Sequence, residues 1–327
     1  MDKNRKQIFW RTFIVVIVIL IITVLFFLLV DVNEVREQLV SADARYLIAA
    51  SFALVLGLIA FAVRWRSLLE YKPPSLFTFH ASNIGLAGNM LIPFRAGEAI
   101  RILVMGSAQY VSFTAATTSV VVERLFEQLM RFVVLGLAIA IGVGLEVTPA
   151  TILAGLGFLV LGFGTVIWLV NHQDFTRTKG TQLLAKIPRV TEETAYKSVS
   201  DLLQNLTAVS KPRQFTQILL ISGITWLLFW GFFYLALLAL DTGFSAQQQL
   251  AISLAALALS PPSAPTQPGI FHASIVVPVA ALGFDPETLT AYAVVLQAVE
   301  MIWMVGLAIW GLIATGSSLS VFFQQKK

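Results

Sequence analysis

The chain of 327 residues lacks cysteine altogether and is poor in charge, with aspartate, glutamate, lysine and arginine making up only 12% of it. Without cysteine, disulfides, thiolate metal sites and cysteine nucleophiles are excluded. Its three histidines show no metal-ligand spacing, so no metal centre is predicted. The motif G-x-x-x-x-G-K-[ST] is also missing, which excludes the phosphate-binding loop that would hold ATP. We expect no cofactor.

What the chain has in abundance is apolar surface, since 57% of its residues are hydrophobic and its mean hydropathy is +0.82. These values are typical of a polytopic helical membrane protein and leave no room for a soluble domain of ordinary size. The formal net charge of +4 does not indicate a nucleic-acid partner, because the basic residues lie in loops, where they orient membrane helices. We therefore predict an all-α protein with a single integral membrane domain over residues 1–327.

Six apolar runs approach or exceed the ~20 residues that a membrane-spanning helix needs. They are residues 8–30, 46–63, 132–145 with an upstream extension, 151–170, 218–240 and 289–312. Basic residues precede the first run, follow the second run at Arg64, Arg66 and Lys72, and dominate the connection 171–214. The positive-inside rule therefore places both termini, the residues after the second run and this connection in the cytoplasm. The first run is too long for a signal peptide and is expected to remain as an anchor.

Two segments rich in proline, glycine and polar side chains, 91–98 and 260–269, interrupt apolar stretches in the two halves of the chain. Irregular backbone is tolerated at membrane depth only where protein buries it or a water-filled cavity borders it. The loop charges keep their predicted sides if each segment is the tip of a re-entrant hairpin, over roughly residues 76–110 and 250–282. In the alternative, which also preserves the sides of the loop charges, every hairpin limb crosses the bilayer and the chain has up to ten spans.

The re-entrant interpretation predicts helix, hairpin and helix twice, in units 46–145 and 218–312 of opposite orientation. Six full transmembrane helices and two re-entrant helical hairpins then form an inverted repeat. Many transporters built in this way bind substrate where the two repeats meet. The candidate gating positions at the two backbone breaks are Pro93, Gly97, Pro268 and Gly269.

Charged side chains at membrane depth are concentrated in one predicted helix, at Glu123, Arg124, Glu127 and Arg131. The apolar run 132–145 covers only about 20 Å at ~1.5 Å per residue, so part of the charged segment lies within the hydrocarbon region. A charge facing lipid at the bilayer centre costs at least about 2.5 kcal/mol, and these side chains are therefore expected to face inward and pair. Two interpretations stay open: a buried ion-pair clamp between helices, or a site for a polar headgroup or coupling ion.

The first hairpin adds Arg95, Glu98 and Arg101. An arginine suits bidentate phosphate binding, and the free N–H groups of a helix that starts near Gly97 favour an anion. In the competing interpretation, Arg95 extends to the cytoplasmic interface. Glu300, near the middle of the last span, is too costly there to be incidental, so it either pairs with an arginine or carries a proton.

Other polar side chains of the hairpins include His80, His272, Asn83, Asn89, Thr266 and Gln267. His80 and His272 are expected to be structural, with a proton relay as the alternative. Thr266 and Gln267 either line a polar path or satisfy the broken backbone.

The connection 171–214 contains its own helical pattern. Apolar residues recur at helical spacing from Ala195 to Val209, ahead of Pro212. The pattern predicts an amphipathic helix lying on the membrane surface, with docking of a partner as the alternative.

The sequence carries P-x-R-x-G-E in residues 93–98 and E-R at residues 123–124. This combination resembles the signature of the lysylphosphatidylglycerol synthase transmembrane-region family of flippase-like proteins, and the resemblance covers nearly the whole chain. That family includes the membrane half of the bacterial multiple peptide resistance factor, which flips aminoacylated phosphatidylglycerol, and stand-alone members linked to moving hopanoids or glycolipids. The resemblance implies lipid translocation in a prokaryotic plasma membrane. The residues that it implicates are Arg95, Glu98, Glu123 and Arg124.

Two positions depart from the family pattern. Glu127 stands where an aspartate is expected after the Glu-Arg pair, and residues 265–271 read Pro-Thr-Gln-Pro-Gly-Ile-Phe where proline, two glycines and glutamate are expected. The missing acidic residue points to a change of substrate or coupling. No aminoacyl-transferase domain accompanies these residues, so we do not expect the chain to synthesise the lipid.

The sequence therefore predicts a non-enzymatic transporter that moves a polar-headed, anionic phospholipid or lipid-linked sugar between leaflets, driven by a gradient or passively. Arginines are expected to neutralise phosphate, and glutamates to hold the arginines in place. The predicted substrate-binding residues are Arg95, Glu98, Arg101, Glu123, Arg124, Glu127, Thr266 and Gln267. The predicted coupling residues are Glu300, His80 and His272.

Membrane lipids are the expected partners, and association with a lipid-synthesising enzyme or with further copies of the chain is left open. Three other functions compete with translocation. They are an intramembrane lipid-modifying transferase with Glu98 or Glu123 as general base, a small-solute or ion transporter, and a scaffold in envelope assembly.

Overall fold

The computed structural model describes residues 40–92, 96–141, 149–186, 190–263, 268–281 and 283–319. These residues form eleven helices and contain no strand, which confirms the all-α prediction for this part of the chain. The helices are α1 Ala44–Leu68, α2 Ser75–Leu91, α3 Ala96–Ser107, α4 Phe113–Ile141, α5 Pro149–Asn171, α6 Gln173–Leu184, α7 Glu192–Ser210, α8 Pro212–Leu238, α9 Ala246–Leu259, α10 Pro268–Ala280 and α11 Pro286–Leu319. The predicted first span and four predicted site positions lie outside the described residues: 8–30, Pro93, Arg95, Thr266 and Gln267.

Helices α1 and α8 form the central antiparallel pair. At one end the backbone N–H of Asp43 donates to the carbonyl of Ala239 at 2.8 Å, and at the other the Gln214 side chain donates to the carbonyl of Ser67 at 2.9 Å. Gly57 allows the close approach between them, since a Cβ there would lie 2.5 Å from the Phe229 ring. We name the two ends of this pair the Asp43 end and, where Tyr71 contacts Gln217, the Tyr71 end.

The first hairpin, α2 with α3, opens at the Tyr71 end. Helix α1 stops at Leu68 because Glu70 and Tyr71 take left-handed backbone angles, with φ of 54° and 58°, and α2 follows directly. The ring of Phe77 near the start of α2 lies 5.0 Å, centroid to centroid, from that of Tyr110 just after α3. The hairpin therefore returns to the side of the molecule from which it starts.

The second hairpin, α9 with α10, opens at the opposite, Asp43 end. A capping box, in which Ser245 and Gln248 each bond the other's backbone, starts α9. The rings of Phe244 before α9 and Phe284 after α10 lie 5.6 Å apart, so this hairpin also returns to the side from which it starts. The two hairpins thus enter the bundle from opposite ends.

Helices α4 and α11 flank the hairpins in a reciprocal way. Each packs on the other half's hairpin, α4 against α9 and α11 against α2. At the Asp43 end the Gln247 side chain donates to the carbonyl of Ile141 at 2.6 Å. Towards the Tyr71 end Gly311 lies close to His80, where an added Cβ would be 3.2 Å from the histidine Cβ. One apolar core built from α1, α2, α4 and α8 to α11 results.

Three of the described helices are long and apolar enough to cross a membrane: α1, α8 and residues 286–315 of α11. Helix α4 is comparably long, with 29 residues, but it carries the four charged side chains of the segment 123–131. The membrane-protein class is therefore supported by both composition and structure.

The amphipathic helix α7 forms as predicted, but its apolar face contacts protein. Ala195, Val199, Leu203 and Leu206 are all buried, and α7 packs against α6, α4, α5 and α8. Gly180 on α6 allows Val199 to pack closely against this helix, since a Cβ at the glycine would lie 3.1 Å from the valine methyls. The expectation that this face rests on the membrane surface was wrong, because periodicity identifies an apolar face without identifying what covers it.

The closest backbone approach in the first hairpin generates a test. A Cβ on Gly97 would lie 1.8 Å from the carbonyl oxygen of Gly85, so Gly97→Ala must push α3 away from α2. We expect a loss of about 1–3 kcal/mol in unfolding free energy, the usual cost of overpacking, measured by thermal unfolding in detergent. Gly269→Ala is the matched control, because nothing lies within 4 Å of a Cβ there. Equal stability of the two variants would contradict the tight α2–α3 contact.

Candidate functional site

The two glutamates of α4 turn inward, as predicted, whereas Arg124 and Arg131 are only partly buried. Glu123 is 0% exposed and Glu127 is 4% exposed, whereas Val121 on the far side of the same helix is 59% exposed. The spacing of four residues puts both carboxylates on one face, which packs against α1 and α3. Two adjacent anions in an apolar bundle require cations within direct reach.

Arginines from two other helices supply those cations. Arg64 on α1 places a guanidinium nitrogen 2.6 Å from a Glu127 oxygen and 3.7 Å from a Glu123 oxygen. Arg101 on α3 lies 2.7 Å from the same Glu123 oxygen. All four side chains are at most 5% exposed, so these contacts tie α1 and α3 to α4 away from solvent.

A third arginine extends the cluster to its edge. Arg124 lies 2.6 Å from Glu98 on α3 and also pairs with Glu127 one turn along α4. The side chains of Arg124 and Glu98 are 21% and 24% exposed, several times more than the rest of the cluster. The Arg124–Glu98 pair is therefore the part of the cluster that a molecule from outside can reach.

We call these six side chains the ion-pair network: Arg64, Arg101, Arg124, Glu98, Glu123 and Glu127. Three positive and three negative charges balance, so the network as a whole is neutral. Aromatic rings wall its inner side, with the Arg64 guanidinium 5.0 Å above Phe61 and the Arg101 guanidinium 4.8 Å above Trp65. The indole N–H of Trp65 in turn donates to the Ser119 hydroxyl at 2.9 Å.

The structure thus brings together five of the predicted site residues and adds Arg64, which the sequence analysis used only to orient the helices. Glu98, Arg101, Glu123, Arg124 and Glu127 all belong to the network. Arg64 carried a detectable signal, since it directly follows an apolar run and its helix continues to Leu68. A basic side chain near the end of a spanning helix is buried when that end of the helix packs against other helices.

The predicted coupling residues lie apart from the network. Glu300 is 0% exposed in the middle of α11, and neither of its carboxylate oxygens has a hydrogen-bond partner in the described structure. His80, 2% exposed, packs its ring on Trp310 at 4.6 Å between centroids, and His272 lies half-buried beside Phe271. Among the described residues, no group of three potential metal ligands occurs.

The gating candidates differ in their surroundings. Gly97 is buried against α2, as described above. Pro268 is the first residue of α10, a position that suits proline because its missing N–H would be unbonded anyway. Gly269 is exposed and meets nothing that would limit a side chain.

Apolar cavities lie between α4 and α5, and their lining includes the residues that flank Glu123 and Arg124 in the sequence. One of about 410 Å³ and one of about 490 Å³ share Val122 and Leu125 of α4 and Val166 of α5 as lining residues. Leu206 of α7 also lines the larger cavity, and Phe215 of α8 lines the smaller one. Apolar space beside a partly accessible ion pair suits an amphiphilic molecule.

The fold and the network define a class: a polytopic helical membrane protein with a charge-balanced site between a helical hairpin and its flanking helices. Within that class, the chain belongs to the lysylphosphatidylglycerol synthase TM region family, whose pattern it matches over residues 14–309.

One curated relative is named as an enzyme. Glycosyltransferase AglD of Haloferax volcanii is 32% identical over 135 residues, a match that covers 39% of this chain and 21% of the relative. The matching region therefore spans about a fifth of that protein's length.

The network predicts an asymmetric response to mutation. Arg64→Met removes the cation that contacts the buried carboxylates of Glu123 and Glu127. The loss should lower the free energy of unfolding by about 3–5 kcal/mol. The double variant Arg64→Met with Glu127→Gln restores neutrality and should recover part of that loss. Thermal unfolding in detergent measures both. Arg45→Met is the control on the same helix, because Arg45 is 90% exposed.

Equal unfolding temperatures for Arg64→Met and Arg45→Met would show that the network does not hold α1 to α4. A double variant no more stable than Arg64→Met alone would show that charge balance is not the reason for any loss.

Proposed function

We propose that this protein translocates a polar-headed, anionic lipid between the leaflets of a prokaryotic plasma membrane and catalyses no covalent reaction. The observation that carries the proposal is the Arg124–Glu98 pair, which is partly exposed at the edge of an otherwise sealed ion-pair network. Membership of a family named for the membrane region of a phospholipid synthase supports a lipid as the substrate.

The headgroup would exchange places with Glu98. Arginine binds phosphate through paired, charge-assisted hydrogen bonds, so a lipid phosphate can compete with the Glu98 carboxylate for Arg124. Glu127 would keep Arg124 oriented during the exchange, while Arg64 and Arg101 stay engaged with buried carboxylates. The acyl chains would follow the apolar surface of α4 and the cavities beside α5.

The same proposal includes the membrane topology. The hairpin limbs contain 17, 12, 14 and 13 residues, hence about 26, 18, 21 and 20 Å at ~1.5 Å per residue, each less than the ~30 Å of a hydrocarbon core. These lengths favour two re-entrant hairpins with six full crossings over ten spans. The reciprocal packing of α4 on α9 and of α11 on α2 supports an inverted repeat of the units 46–145 and 218–312.

Charge at the two ends supports the orientation. Basic residues gather at the Tyr71 end, which we assign to the cytoplasm together with both termini and the connection 171–214. They are Arg66, Lys72, Lys211 and Arg213. The Asp43 end has an acidic excess, with Asp43, Asp241, Asp285 and Glu287 against Arg45.

A lipid-modifying transferase is the second candidate, because the relative from Haloferax volcanii is named a glycosyltransferase. The geometry favours it less. A general base must be free to accept a proton, and Glu123 is held between Arg64 and Arg101 in a buried site. Glu98 is the network's one carboxylate with enough exposure to act in that role.

The proposal is tested by headgroup-resolved lipid translocation in proteoliposomes. Arg124→Gln should slow the movement of anionic phospholipid by about tenfold or more, since a hydrogen bond to a charged group is worth ~1.5–3 kcal/mol. Arg124→Lys should retain part of the rate because it keeps the charge but loses the paired geometry. Arg213→Gln, an exposed position on α8, is the matched control and should move lipid like wild type.

Protein amounts are matched by unfolding assays before rates are compared. Equal leaflet exchange in protein-free and wild-type vesicles, across several anionic headgroups, would refute translocation. A covalently altered lipid in mass spectra, lost in Glu98→Gln, would favour the transferase. Solute flux without any dependence on lipid headgroup would favour a small-solute or ion transporter.

A further inference from the structure

A second polar site lies in the other half of the protein, around Glu300. This carboxylate is completely buried, and in the described structure neither of its oxygens has a hydrogen-bond partner. Gln297 lies one turn earlier and is 3% exposed, and its side-chain nitrogen also has no hydrogen-bond partner in the described structure. A buried carboxylate without a compensating charge or donor is among the costliest arrangements in a membrane interior.

The depth of Glu300 follows from its contacts along α11. This helix runs from the Asp43 end to Gly311, which lies against His80 of the antiparallel α2. Glu300 lies eleven residues before Gly311 on α11. Leu91, the last residue of α2, likewise lies eleven residues after His80. At ~1.5 Å per residue both distances are about 16 Å, so Glu300 is level with the carboxyl end of α2.

The same count from the other end gives the same level. Glu300 lies 14 residues after Pro286, and α9 enters from that end and is 14 residues long, ending at Leu259. Glu300 is therefore also level with the carboxyl end of α9. The last carbonyls of a helix carry a partial negative charge, so two negative helix ends and one carboxylate occupy the same depth.

A described side chain just beyond the end of α9 adds an oxygen but no cation. Ser263, four residues beyond Leu259, is fully buried with an unpartnered hydroxyl. Arg64, Arg101 and Arg124 are committed to the ion-pair network, and α11 forms no ion pair in the part of the chain that the structure describes.

We infer that Glu300 is the binding site of a small monovalent cation, either H⁺ or Na⁺, which enters and leaves during the working cycle. A cation would neutralise the carboxylate and the negative carboxyl end of α2, which packs on α11; discontinuous helices of secondary transporters hold their coupling ions in this way. The inference rests on the proposed lipid translocation, for which this cation supplies the driving gradient. The first half of the protein binds lipid, and the second half binds the ion.

Other titratable or charged groups on α11 and on the helices packed against it can influence Glu300. Those in the network are paired, and His80 lies about 16 Å away along the helix axis by the count above. The complete set in the described helices is Glu287 and Tyr292 on α11, His80 on α2, Glu98 and Arg101 on α3, Arg45, Tyr46, Arg64 and Arg66 on α1, Arg213 and Tyr234 on α8, and His272 on α10.

The test is carbodiimide labelling of the wild-type protein in vesicles, with the modified peptides identified by mass spectrometry. Dicyclohexylcarbodiimide reacts with protonated carboxyl groups in apolar surroundings. Reaction is followed across an acidic-to-alkaline pH series, in sodium or in choline buffer. Glu123 and Glu127 are internal controls that should stay unlabelled, because both carboxyl groups are ion-paired with buried arginines. Glu300→Gln should lose the labelled peptide, and Glu287→Gln, an exposed change on the same helix, should keep it.

Labelling at Glu300 that disappears as pH rises, equally in both buffers, identifies H⁺ as the cation. Labelling that sodium suppresses and choline does not identifies Na⁺. Absence of label throughout, or label that responds to neither pH nor sodium, overturns the inference. The assay needs no lipid movement, so a cation-responsive Glu300 in a protein that moves no lipid would refute the proposed function alone.

Discussion

A charge buried in a membrane protein has to meet an opposite charge within hydrogen-bonding distance, and the first half of this structure depends on that constraint. Helix α4 can turn Glu123 and Glu127 inward only because Arg64 and Arg101 reach them from two other helices. The network therefore sets the positions of α1, α3 and α4 relative to one another. It also leaves a single accessible point, the pair of Arg124 and Glu98, where exchange with an outside ligand does not break the buried contacts.

The two halves share a layout but differ in chemistry. Each has a hairpin that returns to its own end of the bundle, shown by the ring contacts of Phe77 with Tyr110 and of Phe244 with Phe284. The first half is rich in charge and balanced, whereas the described part of the second has one buried carboxylate, Glu300, without a hydrogen-bond partner. This difference is the physical basis for assigning lipid to one half and a cation to the other, and inverted motion of the halves would couple the two.

Much of this arrangement was predictable from local pattern. Hydropathy identified the described long helices, proline and glycine identified where α2 and α9 end, and the spacing of Glu123, Arg124 and Glu127 identified the inward face of α4. Two features were not predictable. Arg64 was interpreted only as a topology signal, and the apolar face of α7 was assigned to the membrane, although Val199 and Leu203 pack against protein. In both cases the missing information was which distant surface covers the residue.

The sequence by itself determined the class of protein, the places where helices break and the faces on which charge lies, because these follow from hydrogen bonds and periodicities within a few residues of chain. Only the tertiary structure decided which charges meet. Arg64 and Glu127 are 63 residues apart in the chain, and their pairing depends on how α1 and α4 pack. Glu300 illustrates the same point, since its lack of a partner among the described residues is a property of the helices around it and of nothing in its own segment.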